Sequence, residues 1–179
     1  IMIGEIRDLE TAQMAVQASL TGHLVLSTLH TNDAPSAITR LLDLGVPHYL
    51  VASTLNGVLA QRLVRTLCGH CKRPHTLGDL EWDALREPGE ALPDALQTHA
   101  PVGCLECRRT GYLGRVGLYE LLPVTPRLRA LIRADMDLAG FSRAAQAEGV
   151  RSLRRAGLEK VAAGLTTIEE VLSVLPPRE

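Results

Sequence analysis

Apolar positions along this chain change rhythm several times, and each change marks an expected element. Ile1, Met2, Ile3 and Ile6 form a short run interrupted by Gly4-Glu5, the pattern of a strand covered on both faces in a parallel sheet. From Leu9 to Leu20 the spacing becomes helical through Ala12, Ala15, Val16, Ser19 and Leu20, with Asp8 placed as N-cap and Gly22 as a stop. His23 to Leu29 returns to a strand pattern centred on Leu24-Val25-Leu26 and opens into the polar cluster from Ser27 to Asp33. Asp33 and Pro35 start a second helix whose Ala34, Ile38, Leu41 and Leu42 share one face, and Gly45 closes it. Pro47 starts a third, predicted to carry Val51, Leu55, Val58, Leu59 and Arg62 in register before a strand over Leu63–Leu67.

Strand, helix, strand, helix, helix and strand describe an α/β domain built on a parallel sheet. The regularity then stops. Four of the ten prolines fall between Lys72 and Gly103, where only weak helical patches stand near Asp79–Arg86 and Ala91–Gln97. Gly111 to Val124 is β-like again, and from Pro126 onward the pattern is helical. Its apolar faces run through Leu128, Leu131 and Ile132, then Val150, Leu153, Leu158 and Val161, and finally Ile168, Val171 and Leu172. The expected organisation is residues 1–67, 68–110 and 111–179. Because the chain opens on an apolar strand, it also reads as a fragment.

Composition narrows the function classes. A hydrophobic content of 46% supports a packed core, and no apolar run is long enough for a spanning helix or shaped like a signal peptide. The chain is therefore expected to be soluble and intracellular. A net charge of -1 and 3% aromatic residues argue against a nucleic-acid binder held by a general basic field or by base stacking. The basic positions Arg127, Arg129, Arg133, Arg151, Arg154, Arg155 and Lys160 read as exposed helix faces.

Ligands of parallel α/β sheets sit beyond the carboxyl ends of strands. Glu5 stands at such an end, and Gly4 before it lets the backbone pass close to a bound group. The alternative is an exposed glutamate ending an ordinary strand.

Cys68-Gly69-His70-Cys71 and Cys104-Leu105-Glu106-Cys107 are two C-x-x-C knuckles with 32 residues between them, and they use every cysteine. Four thiolates at this spacing can close a tetrahedral structural zinc site, with no open position for water. Zinc bound this way contributes on the order of 10 kcal/mol to folding a small polar lobe. An iron–sulfur cluster or unligated cysteines are the alternatives. A thioredoxin-like site needs only one such pair, and structural disulfides fit poorly with an intracellular chain. His70 and His75 lie nearby as solvated or outer residues.

Four segments in this order resemble the GspE-type ATPases, the motors of type II secretion and type IV pilus assembly. They are Gly4-Glu5-Ile6-Arg7-Asp8, Ser27 through Asp33, Gln61 through Arg65 before the first knuckle, and Gly114 through Leu121 after the second. The ending, Ser152 through Arg154 and Gly164 through Val171, extends the resemblance over nearly the whole chain. It implies the C-terminal part of a RecA-like P-loop NTPase core with a tetracysteine zinc-binding insert and a C-terminal helical subdomain. It further implies a ring of six working at the cytoplasmic face of the inner membrane, with the platform and docking components of the machine as partners and no nucleic acid.

By the same resemblance ATP and Mg2+ are the ligands, and Glu5 is the catalytic acid of a Walker B box that polarises the attacking water. Gly4, Arg7 and His30 contact the nucleotide, His30 as the histidine of the family's His box. For Arg7 and Asp8, an ion pair or cap orienting Glu5 is the alternative. His23 reads as structural, whereas Arg62 and Arg65 could touch nucleotide, a neighbouring subunit or only solvent. No G-x-x-x-x-G-K-[ST] occurs in the chain, so no phosphate-cradling loop is present and these residues alone are not expected to hydrolyse ATP. The pilus retraction motor of the same superfamily lacks the tetracysteine insert, which argues against it. A non-catalytic zinc-ribbon module is the reading from a different class.

Overall fold

The computed structural model describes residues 1–86 and 97–175, and those residues form two compact units. The first comprises Ile1–Ala60 and Leu121–Val150, the second Gln61–Glu120 and the segment from Arg151 onward. Residues 91–96, which carry most of the second weak helical patch, lie outside the description.

In the first unit, α1 (Leu9–Leu20) is capped by the Asp8 carboxylate, which accepts from the Thr11 amide at 2.8 Å, and the chain leaves through Gly22 at φ +93°. Helix α2 (Ala34–Asp43) has Asp33 as its cap and Pro35 in its first turn, and buries Ala34, Pro35, Ala37 and Ile38. Helices α3 (His48–Thr54), α5 (Pro126–Leu131) and α6 (Leu138–Ala147) complete the layer. Val51, Leu128 and Phe141 are their most deeply buried side chains. Helix α2 packs against α3 and α6, and α5 against α3 and α6.

Two expectations fail in this unit. Ile1–Ile6 and His23–Leu29 do pair in parallel, through a bridge between Met2 and Leu26 and bonds from Ile3 N to Leu26 O and Ile6 N to Thr28 O. However, they are not covered on both faces: Met2 is 80% exposed, and Ile1, Leu24 and Leu26 are exposed too. The third helix also stops at Thr54, and Val58, Leu59 and Arg62 belong to strand β1 (Gly57–Leu67). Asn56-Gly57 breaks the helix, and the buried residues Ala60 and Val64 alternate with exposed ones.

Strand β1 pairs with β4 (Tyr112–Pro123) in a two-stranded sheet rather than extending the Met2–Leu26 pair. In the second unit the proline-rich stretch contains an antiparallel strand pair that periodicity missed, β2 (Arg73–His75) with β3 (Thr98–Ala100). Helix α4 (Asp79–Leu85), α7 (Leu153–Ala162) and α8 (Ile168–Val174) surround a core of Val64, Trp82, Leu85, Leu118, Val161 and Val171. Gly157 on α7 admits α8: a β-carbon there would lie 2.3 Å from Val171 Cγ1.

Candidate active site and metal centre

The carboxylate site lies where the first run enters the loop before α1. Glu5 keeps 20% of its side chain exposed and both oxygens are engaged. Oε2 accepts from Arg7 Nε at 2.6 Å and lies 2.6 Å from its Nη2, while His30 Nε2 stands 3.0 Å from Oε1. The Arg7 hydrogen bond holds the carboxyl below the usual glutamate range, against the upward effect of burial, with the charges of Arg7 and His30 adding to the lowering. His30 arrives from the second run, placed by Ile6 N to Thr28 O and by Thr28 Oγ1 donating to Gly4 O at 2.7 Å. Gly4 itself is unconfined, since a β-carbon there would meet nothing within 4 Å. Asp8 caps α1, and His23 bonds locally to Thr21 and Ala18 O.

Arg65 has a partner the sequence did not suggest. Its guanidinium pairs with Glu170, its backbone N–H donates to the same carboxylate at 3.1 Å, and it lies 4.2 Å from the centre of the Tyr112 ring. Arg129 donates to Ser53 O, and Arg154 to Ala84 O at 2.7 Å. The basic helix positions are therefore partly engaged in internal bonds rather than forming a plain exposed face.

The metal centre is built from two turns. Cys71 N and Lys72 N donate to Cys68 O in the first, and Arg109 N to Cys104 O in the second. The turns are tied together by Cys68 N donating to Gly111 O at 2.9 Å. All four sulfurs lie within 4.8 Å of one another, with Cys68–Cys104, Cys71–Cys107 and Cys104–Cys107 at 3.8, 3.9 and 3.8 Å. A zinc ion bound at about 2.3 Å to four sulfurs sets them roughly 3.8 Å apart, whereas a disulfide needs about 2.05 Å; all four cysteines are free. The donor set and spacing therefore fit a tetrahedral thiolate site.

Backbone amides prepare the sulfurs for that role. Cys104 N and Gly111 N both point at Cys107 Sγ at 3.2 Å, and lower its thiol to about 6 against some burial. Gly103 N donates to Cys71 Sγ at 3.3 Å. For Cys68 an amide bond from His70 acts downward, but burial and the neighbouring sulfurs outweigh it and push the thiol up to about 11. Glycine is required at Gly111, at φ +81°, where a β-carbon would lie 2.4 Å from Pro101 Cβ. His75 meets Glu81 rather than a sulfur.

The mixed α/β fold is of the RecA-like class that the pilus retraction motor PilT represents, here with a tetracysteine lobe. The chain belongs to the type II/IV secretion system protein family, whose model matches residues 1–173. It is 52% identical over 98% of its length to the type IV pilus assembly ATPase TfpB of Acinetobacter baylyi, covering 30% of that protein. It is 49% identical over 97% of its length to the type II secretion system ATPase E of Vibrio cholerae, covering 34%. Among solved structures, the pilus retraction motor PilT with bound ADP superposes with a TM-score of 0.65 at 26% identity, over 99% of this chain and 39% of that one. The chain thus spans about a third of the curated relatives it matches.

Proposed function

We propose that this chain is the part of a hexameric ATPase that carries the catalytic carboxylate and the zinc lobe, and that the ATPase powers type II secretion through pseudopilus assembly. The observation that carries the reading is the pairing of Glu5 with Arg7 and His30 in a chain about half identical to secretion and pilus ATPases. Phosphoryl transfer to water needs a positioned nucleophile and charge neutralisation. Glu5 supplies the oxygen that orients the water, while Gly4, Arg7 and His30 lie on the nucleotide side. Mg2+ would supply charge neutralisation at the phosphates of ATP.

Cys68, Cys71, Cys104 and Cys107 would hold one Zn2+, whose chemistry is a structural cross-link between the knuckles. In this reading residues 1–67 belong to the ATPase core, 68–110 to the metal lobe and 111–179 to the return strand and helical subdomain. The motor works as a homohexamer against inner-membrane platform and docking components at the cytoplasmic face, without nucleic acid. Among the described residues no helix is long and apolar enough to cross a membrane. Type IV pilus assembly is the second reading, favoured by the 52% identity to TfpB.

The test is ATP turnover by the full-length protein. Glu5→Gln is expected to bind ATP and lose hydrolysis by roughly a hundredfold or more, and the 179-residue chain alone is expected to show none, having no phosphate loop. Undiminished turnover by the Glu5→Gln protein would overturn the reading.

A further inference from the structure

The turn between α7 and α8 is polar and yet buried, with Thr166 wholly and Thr167 almost wholly removed from solvent. Buried polar groups need partners, and this turn finds them around the first knuckle. Thr166 Oγ1 donates to Arg65 O at 2.8 Å, and Leu165 O accepts from Leu67 N at 2.8 Å. Beyond the knuckle, Lys72 Nζ donates to Gly164 O at 2.7 Å. Thr167 Oγ1 lies 3.2 Å from the Tyr112 hydroxyl, and Glu170 on α8 takes Arg65. The turn is thus bonded to the chain on both sides of Cys68 and Cys71, within the second unit. Gly164 fits this seat at φ +64°, since a β-carbon there would lie 2.7 Å from His99 Nδ1 and 3.3 Å from Lys72 Nζ. His99 stands on β3 opposite Pro74, and its buried Nδ1 has no hydrogen-bond partner. Such a nitrogen is costly; here the turn's backbone packs against the ring that carries it.

We propose that the four-cysteine site is a clamp on the C-terminal helices: a metal ion held there fixes the residues that seat the α7–α8 turn, and the seated turn tightens metal binding. This rests on the reading of Cys68, Cys71, Cys104 and Cys107 as a zinc site. Four thiolates within 4.8 Å repel one another unless an ion neutralises them. The loaded site therefore holds residues 68–71 in the turn that sets Leu67 and Lys72 beside Leu165 and Gly164. Because a coupling between two sites acts equally in both directions, loosening the turn must weaken the metal site.

Hydrogen exchange of the zinc-loaded 179-residue chain, with and without a chelator, reads the first direction. Residues 163–172 are expected to lose protection about tenfold or more together with the knuckles, while α2 in the first unit keeps its own. Unchanged protection of residues 163–172, or an equal loss in α2, would overturn the clamp. Competition for zinc with a chelating dye reads the second direction. Thr166→Val, which keeps the side-chain shape and removes the bond to Arg65 O, is expected to weaken zinc binding about fivefold or more. Glu170→Gln, a milder change at the same seat, should weaken it in the same sense, and Glu159→Gln on the exposed side of α7 should leave it within about twofold. A wild-type chain that binds no zinc would remove the zinc reading itself. Zinc binding indifferent to both Thr166→Val and Glu170→Gln would overturn the clamp alone.

Discussion

Arg65 and Glu170 are 105 positions apart and share two hydrogen bonds, one from the guanidinium and one from the backbone. The Arg65 bond holds the Glu170 carboxyl below its ordinary range, against partial burial. A depressed carboxylate stabilises the fold above its unfolded value of about 4.3, and that contribution is lost as pH falls through the folded value. Glu170→Gln is therefore expected to cost about 1–2 kcal/mol at pH 7, and the deficit relative to wild type should shrink at pH 3. Urea unfolding at both pH values checks this, and an equal deficit would contradict it. The sequence left Arg65 between nucleotide, neighbour and solvent because its real partner lies on a distant helix. Glu5 stands out in the sequence for the opposite reason, because the end of an apolar run is where ligands of α/β sheets sit. Its contact with His30 does not, because it depends on the pairing of two short runs.

Caps and breakers made the helices readable. Asp8, Asp33, Thr125, Ser152 and Thr167 each accept from an amide of the first turn, and Asp33→Ala is expected to lower stability by about 1 kcal/mol in thermal or urea unfolding. Strand β1 was partly misread because Val58, Leu59 and Arg62 fit a 3.6-residue spacing as a continuation of α3. Only the alternation of Ala60 and Val64 with exposed neighbours, visible once β4 is beside it, decides for a strand. The β2–β3 pair escaped notice because three-residue strands are too short for any period to register. Close packing separates helix propensity from stability at Gly157. Alanine is the better helix former by about 1 kcal/mol, yet its methyl group would meet Val171 at 2.3 Å. Gly157→Ala is therefore expected to destabilise by roughly 1–3 kcal/mol, and a stabilised variant would show that α8 yields freely.

For the whole molecule, the four cysteines join two segments of the second unit that lie 32 residues apart in sequence. Cys68 follows β1 directly, and Cys107 meets the Gly111 amide just before β4, so the ion would fasten the ends of both strands. The sequence singled out the same four cysteines that the fold brings within 4.8 Å of one another, because C-x-x-C spacing is local. It revealed nothing of the bond between Cys68 N and Gly111 O that joins the knuckles. Chelation at neutral pH is expected to lower the unfolding midpoint of the 179-residue chain, and Cys104→Ser to do the same without chelator. The most direct measurement is elemental analysis of the chain purified without chelator, paired with a count of reactive thiols. One zinc per chain, with four thiols that become reactive only after chelation, is the result expected of a secretion or pilus-assembly motor. Metal-free protein with four freely reactive thiols would contradict the reading of Cys68, Cys71, Cys104 and Cys107 as a structural zinc site.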